Sequence, residues 1–193
     1  MGWALAELDE DDFAGFTRRY DAELSFELGV SLPPQDRGLS LNPTVGVKHA
    51  EVARLSAQFL EVSTGACMVG TTIDTLMRKA EPPADSNGRW TVRHAGDALE
   101  EAVAAERVVE DLFTYGEPFL AARSSLGDLI AEVTAGPRNQ MDEANLAIAH
   151  ALRSDMAEAE RALAAVERPA TPLLAGGVAE RFVEAFRRHF HLT

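Results

Sequence analysis

The chain has 193 residues, of which 46% are hydrophobic, and it carries a formal net charge of −13 at pH 7. This length suits one medium-sized domain or a domain with a helical extension, and the apolar fraction is high enough for a core, which excludes a disordered chain. The negative charge argues against nucleic-acid binding, which needs clustered lysine and arginine, and it disfavours an anionic membrane surface. It is compatible with a basic protein partner, or with acidity that only keeps the protein in solution.

A single cysteine, Cys67, excludes an internal disulfide, which is typical of a reducing compartment. The first residues lack the basic start and long apolar run of a signal peptide. No stretch approaches the roughly 18 uninterrupted apolar residues of a membrane span. We therefore expect a cytoplasmic protein with no membrane partner.

An acidic run comes first along the chain and precedes aromatic residues at helical spacing. The run is Asp9, Glu10, Asp11 and Asp12, and the aromatic residues are Phe13, Phe16 and Tyr20. Carboxylates in the first turn of a helix interact favourably with its dipole. The sequence predicts a short helix here, whose acidic start is either a solvated cap or a binding surface for a metal ion or a basic partner.

Two segments, residues 24–32 and 39–47, then alternate strictly between apolar and polar residues. Side chains alternate faces along a strand, so the segments are predicted to form a hairpin with one apolar and one polar face, joined through residues 33–38. Pro43 cannot donate a ladder hydrogen bond, which predicts an edge or a bulge at that point.

The polar face of this hairpin is a candidate binding surface. Its small side chains would let the backbone approach a partner or ligand closely, and it carries few charges for a solvated face. The candidate binding residues are Ser25, Glu27, Ser40, Asn42 and Thr44, together with Asp9, Asp11 and Asp12 of the acidic run. The alternative for the hairpin is an ordinary solvated sheet face.

After the hairpin the hydrophobic period changes from strand to helix. Residues 48–62 carry Val52, Leu55, Phe59 and Val62 on one helical face. A third strand is predicted over residues 65–72, a short helix over 73–79, a loop over 81–88 and a last short strand around Trp90 and Val92.

From Asp97 the chain is predicted to be helical. Leu99, Val103, Val109 and Phe113 form the stripe that we expect to be buried, and Gly116 with Pro118 is expected to end the helix. The next helix is predicted to begin at Ser124 or Ser125 and to stop at the Gly136-Pro137 break.

An alanine-rich segment, residues 141–166, follows this break and is compatible with one long helix or two short ones. In the second version the break lies near Arg153-Ser154, Asp155 is the N-cap, and the pair is similar to one unit of a tetratricopeptide-type repeat. A final helix carries an apolar side and an ion pair between Glu184 and Arg188. The apolar side consists of Val178, Phe182, Phe186 and Phe190.

Together these elements predict an α+β fold. We expect an antiparallel sheet of three or four strands with helices on one face, followed by an α-helical C-terminal region. The corresponding domains are an α+β domain over residues 1–135 and a helical extension over residues 139–193 that packs on it.

The sequence lacks the motifs of most well-marked catalytic classes. It has no phosphate-binding loop, dinucleotide fingerprint, nucleophile elbow or His-Glu-x-x-His pattern, and one cysteine excludes a zinc finger. We therefore expect no cofactor and no metal site, and the balance favours a protein that is not an enzyme.

Two ionisable residues nevertheless qualify as candidate catalytic groups. His49 lies near a predicted helix start, whose dipole lowers the pKa of the ring and keeps it neutral, as a general base or metal ligand requires. Glu106 falls on the apolar stripe, where a carboxylate is costly unless it is paired or functional. The alternatives are a histidine that closes a strand-to-helix corner and a glutamate that reaches water at the edge of the stripe.

The segment over residues 115–129 shows a Gly-x-Pro-aromatic-Leu turn after a long helix, then a Ser-Ser-Leu helix start. Its residues are Tyr115-Gly116-Glu117-Pro118-Phe119-Leu120, then Ser124-Ser125-Leu126 and Leu129. With alternating strands upstream, it resembles a domain-of-unknown-function family of uncharacterised bacterial proteins. The resemblance implies an α+β domain of a bacterial accessory protein and transfers no catalytic residue. By fold-level analogy, some small acidic bacterial proteins of this kind are immunity or antitoxin-like binders.

Three functional hypotheses follow. The leading one is a non-enzymatic, cytoplasmic protein-binding module or accessory protein, for which the acidity favours a basic protein partner and no nucleic acid. The second is a small hydrolase or ligand-binding enzyme that uses His49 and Glu106. The third is a structural homodimer that packs through the alanine-rich segment and the phenylalanines of the last helix.

Overall fold

The structure is a computed structural model and describes residues 2–9, 13–31, 34–35, 38–62, 65–80, 89–94, 96–169, 172–174 and 177–192. The strands are β1 Ala4–Asp9, β2 Phe13–Arg19, β3 Leu24–Ser31, β4 Pro34–Gln35, β5 Gly38–Ser40, β6 Asn42–His49, β7 Val69–Thr72 and β8 Thr91–Val92. The helices are α1 Ala50–Leu60, α2 Ile73–Ala80, α3 Ala98–Asp111, α4 Glu117–Ala121, α5 Leu126–Ala135, α6 Gln140–Leu152, α7 Met156–Glu167 and α8 Val178–His189.

The α+β class is confirmed, with an antiparallel sheet and a helical C-terminal region. A five-stranded sheet has the order β1-β2-β3-β6-β7, and a small sheet has the order β4-β5-β8. The main sheet is larger than the three or four strands predicted from sequence, because β1 and β2 add to the two strands of the hairpin and to β7.

The chain divides into two compact units that do not follow chain order. The first comprises residues 1–47 and 70–124, and the second comprises residues 48–69 and 125–193. Helix α1 therefore belongs with the C-terminal helices, although its segment, residues 48–69, is inserted in the sequence between the two parts of the first unit. The domains predicted from sequence, residues 1–135 and 139–193, stay a prediction.

Residues 13–19 are a strand in the first unit, so the helix predicted around Phe13, Phe16 and Tyr20 is wrong. Strand β2 pairs antiparallel with β1 and with β3, where Phe13 lies opposite Ser31 and Phe16 opposite Leu28. Aromatic residues and Thr17 favour strands, and Gly15 is unfavourable inside a helix. The aromatic spacing is compatible with a helix, but pairing with two neighbours decides the outcome.

The two alternating segments do become neighbouring strands, β3 and β6. Three alternate residues of β3, Leu24, Phe26 and Leu28, are buried, and so are the apolar positions of β6. The buried residues of this face are Leu24, Phe26, Leu28, Pro43, Val45 and Val47. The connection is longer than the predicted turn because it contributes β4 and β5 to the small sheet.

The second unit is built from α1 and helices α5 to α8. Helix α1 contacts α6 and α8, and α6 packs along α7. The ring of Phe59 meets Phe182 edge-on with 5.7 Å between centroids, and it also meets Phe186 at 6.3 Å. Phe182 and Phe186 are fully buried, so they lie in the core of this unit and are not available for the dimer contact considered above.

The alanine-rich segment forms two helices, α6 and α7, as in the second version predicted from sequence. The break is at Ser154, whose backbone is left-handed with φ 61°, and the Asp155 side chain accepts a hydrogen bond from the backbone of Glu158. Ser125 caps α5 in the same way, and Glu184 pairs with Arg188 at 2.9 Å. These local predictions are confirmed.

Candidate functional site

Helix α3 carries the most distinctive surface of the described residues, and its start is firmly fixed. Asp97 accepts hydrogen bonds from the backbone N–H groups of Leu99 and Glu100 at 3.0 and 3.3 Å. The Glu100 carboxylate accepts from the backbone of Arg93 and His94, and these hydrogen bonds hold its pKa below the usual value. The loop before the helix is thereby tied to its first turn.

The inner face of α3 is anchored by a buried carboxylate. Asp111 is 1% exposed and accepts two hydrogen bonds from the Arg89 guanidinium, at 2.6 and 2.7 Å. The indole N–H of Trp90 donates to the same carboxylate at 2.8 Å. This pairing raises the pKa of Arg89. Such bidentate, charge-assisted bonds fix both position and orientation, so they determine which face of α3 points inward.

The apolar stripe predicted to be buried lies on the outward face of α3, beside Glu106 and Glu110, and is exposed. The apolar residues that are buried on the helix are Ala104 and Val108, continued by Leu112. The exposed fractions of the predicted stripe are 74% for Leu99, 38% for Val103, 51% for Val109 and 61% for Phe113. Helix α3 therefore has two apolar stripes on opposite sides, and only one of them contributes to the core.

Five residues with spacings of four and three positions line the exposed face. We name Leu99, Val103, Glu106, Glu110 and Phe113 the α3 seam. Alternating steps of four and three keep side chains on one line along a helix, as in the contact line of a coiled coil. Along the chain, the seam therefore consists of two aliphatic residues, then two glutamates, then one aromatic residue.

A π-turn over Leu112–Gly116 follows α3 and contains Phe113, the last residue of the seam. Pro118 has no N–H to donate and its ring would clash with the carbonyl of Thr114 in a regular helix. The wider turn relieves this conflict, and the backbone N–H of Glu117 instead donates to the carbonyl of Leu112, five residues back. Turns of this kind are frequent at functional sites. Here the turn carries Phe113 at the solvent-exposed surface.

The helix does not end at Gly116, contrary to the sequence prediction. Gly116 is buried in right-handed helical conformation, and a Cβ there would lie 2.8 Å from a Leu112 methyl group and 3.3 Å from Val45. Glycine here leaves room for the Leu112 and Val45 side chains to pack closely, and it does not stop the helix.

The surroundings of the seam are strongly acidic. Helix α3 contains four glutamates and Asp111 but one basic residue, Arg107. Arg107 donates to the backbone carbonyl of Arg89 at 3.2 Å, and the Arg89 guanidinium lies 3.7 Å from Glu110. The apolar side chains thus lie among carboxylates, which is an arrangement that attracts cations.

His49 is the N-cap of α1, where β6 runs directly into the helix. The ring is 5% exposed, and its Nδ1 accepts a hydrogen bond of 3.4 Å from the backbone N–H of Val52. That bond requires an unprotonated Nδ1. This geometry corresponds to the histidine that closes a strand-to-helix corner.

Glu106 lies on the α3 seam with its side chain exposed, and not on a buried stripe. It belongs to the first compact unit, whereas His49 belongs to the second, so neither unit contains both groups. The hypothesis that they cooperate in catalysis stays a prediction.

The polar face of the hairpin is partly covered. Ser25, Glu27, Ser40 and Thr44 are half-buried and Asn42 is exposed. The Thr44 hydroxyl donates to the carbonyl of Gly29 at 3.2 Å, and the ring of Phe13 lies so close that a Cβ at Gly29 would be 3.0 Å from it. The small residues therefore accommodate Phe13 as well as solvent. Their role in binding stays a prediction.

The acidic run falls largely outside the described residues. Asp11 and Asp12 are not described, nor is Glu10, and Asp9 ends β1 without a described side chain. Its predicted role in binding is not tested.

A half-buried carboxylate lies in a cleft of the second unit. Burial raises the pKa of Glu143, whose carboxylate lies 3.3 Å from the Arg138 guanidinium. Gln140 beside it is buried; its Nε2 donates to the carbonyl of Val166, and its Oε1 accepts from the backbone N–H groups of Leu173 and Leu174. These contacts hold the chain after α7 against α6.

Within the described ranges, no three His, Cys, Asp or Glu side chains come together as metal ligands. None of the described helices combines the length and apolar character needed to cross a membrane. No family model, curated protein or solved structure matches the chain. The resemblance of residues 115–129 to a bacterial family therefore stays a prediction.

The α3 seam is the surface that sequence reasoning misassigned. The signal that could have identified it is the second apolar stripe, Ala104, Val108 and Leu112, on the opposite side of the same helix. A helix with two opposed apolar stripes that packs on one side leaves the other free.

Proposed function

We propose that this protein is a non-enzymatic protein-binding module, an accessory protein, whose contact surface is the α3 seam. The exposed apolar side of α3 is the observation that supports this proposal. Four of the eight large hydrophobic side chains that are exposed among the described residues lie here, three on the 14 residues of α3 and Phe113 in the π-turn that follows. A cluster of exposed apolar side chains among polar residues is typical of protein-interaction sites.

The fixed position of α3 also supports this proposal. Binding surfaces gain affinity when they are ordered before the partner arrives, because less conformational freedom is lost. The Asp97 cap orders one end of α3, and the bonds from Arg89 and Trp90 to Asp111 order the other. The arrangement is that of a preformed helix face.

The test compares the proteins captured by the tagged wild type and by two variants. We expect Leu99→Gln with Val103→Gln to lose the specific partner, because both apolar side chains would be covered in the contact. Val62→Gln is the control, since Val62 is a half-exposed valine outside α3. Quantitative mass spectrometry of the captured proteins measures the loss, and thermal unfolding verifies that all three chains fold.

Equal capture by the wild type and the double variant would refute the proposal. Capture that fails equally in the Val62 variant would show a general loss of apolar surface and would also count against the seam.

A further inference from the structure

The α3 seam has the geometry that receives another helix. Its spacings of four and three positions over Leu99 to Phe113 are those of a helix that packs side by side with a second helix. Helix-in-groove recognition depends on such a line of anchors on an amphipathic helix. The side chains of an extended strand repeat every two residues, so they do not match the spacing of the seam residues.

The two glutamates within the seam specify the charge of the occupant. A helix that covers Leu99, Val103 and Phe113 must also cover Glu106 and Glu110, which lie between them. Taking a carboxylate out of water is costly unless a cation pairs with it. Among the ion pairs of the described residues, one reaches the seam, between Arg89 and Glu110 at 3.7 Å, so a covering helix has to supply the remaining cations.

A second copy of the chain is a poor occupant for the same reason. In an antiparallel pair that stacks Leu99 on Phe113 of the other copy, Glu106 faces its own counterpart, since it lies midway between them. In a parallel pair, Glu106 and Glu110 would each face their counterparts. Like charges placed together at an interface repel each other, so both pairings are disfavoured.

Resting on the proposed function, we infer that the partner of the α3 seam is an amphipathic helix with Lys or Arg at the positions that face Glu106 and Glu110. Its remaining seam positions are apolar and cover Leu99, Val103 and Phe113. The net charge of −13 adds long-range attraction for such a helix.

The probe is a fluorescent helical peptide of about three heptads with leucine on its seam and lysine at the two central seam positions. A matched peptide carries glutamate in place of the lysines. Fluorescence anisotropy measures both against the full chain at low and raised salt. We expect the lysine peptide to bind at least about tenfold more tightly than the glutamate peptide, with a preference that falls as salt rises.

Charge reversal in the protein makes the test independent of folding defects. Glu106→Lys with Glu110→Lys should reverse the preference, so that the glutamate peptide binds better. A control with the same change in net charge is Glu132→Lys with Glu160→Lys, two exposed residues of α5 and α7, and it should keep the wild-type preference.

Equal binding of the two peptides would overturn the basic-helix inference and leave an apolar contact, so the proposed function would stand. Binding of neither peptide would overturn the inference, and the capture experiment with Leu99→Gln and Val103→Gln would still judge the function separately. Self-association of the wild type in sedimentation that Leu99→Gln with Val103→Gln abolishes would identify a second copy as the occupant and overturn the inference too.

Discussion

At the scale of single residues, the stability of the α3 region depends on one buried carboxylate. Asp111 satisfies three donors from Arg89 and Trp90 at once. The Arg89 side chain keeps about a third of its surface in water, whereas Asp111 has almost none. An unpaired Arg89 would therefore still be partly hydrated, whereas an unpaired Asp111 would be left without water.

We expect Asp111→Asn to destabilise the protein by about 1.5–3 kcal/mol, the range for a lost hydrogen bond to a charged group. A fully buried orphan charge would cost about 3–5 kcal/mol, but the partial hydration of Arg89 limits the penalty. Urea unfolding measures the difference. Glu110→Gln is the control, because Glu110 is exposed and lies 3.7 Å from Arg89, and we expect a change below about 1 kcal/mol. Equal effects of both substitutions would contradict this account.

At the scale of elements, the segment after α1 packs against the helix so closely that side-chain volume is excluded. A Cβ at Gly65 would lie 2.1 Å from the backbone carbonyl oxygen of Ala53. No rotation of a side chain relieves this contact, because the obstructing atom is backbone. The strand that the sequence predicted from Gly65 begins at Val69, after this packed segment.

Gly65→Ala is therefore expected to cost about 1–3 kcal/mol or more through overpacking, seen as a lower midpoint of thermal unfolding. Gly136→Ala is the matched control, since a Cβ there meets nothing within 4 Å. We expect that variant to remain within about 0.5 kcal/mol of the wild type. A stable Gly65 variant would show that the chain moves away from α1 without cost.

The elements also show what the sequence could and could not predict. Helix starts at Asp97, Ser125 and Asp155 were predictable because a cap is a local bond between neighbouring residues. The strand character of Phe13 to Arg19 was not, because its spacing suits a helix and the pairing partners lie elsewhere in the chain. The exposed face of α3 was missed because periodicity locates a stripe but does not say which stripe meets the core.

At the scale of the whole molecule, the two compact units predict which elements share stability. Helix α1 contacts α6 and α8, so it should open together with the C-terminal helices and not with the strand that precedes it. Elements that form one cooperative unit lose hydrogen-exchange protection together.

Leu129→Ala tests this grouping, because Leu129 is fully buried in α5 and its truncation should cost about 2–5 kcal/mol. We expect native-state hydrogen exchange to accelerate in α1 and in α6 to α8, with a smaller change in β2 and β3. Leu28→Ala in β3 is the reciprocal control and should accelerate exchange in the strands. The grouping would be contradicted if, in both variants, the hydrogen-exchange rate of α1 changed together with the rates of β2 and β3.

The order of the units along the chain has a consequence for biosynthesis. Helix α1 leaves the ribosome with its apolar face, including Val52, Leu55 and Phe59, long before residues 125–193 that complete its unit. At about 5–20 residues per second, the nascent chain carries that face uncovered for several seconds. A chaperone that binds apolar helices in emerging chains would therefore meet α1 first, and the first unit would gain its full length before the second one closes.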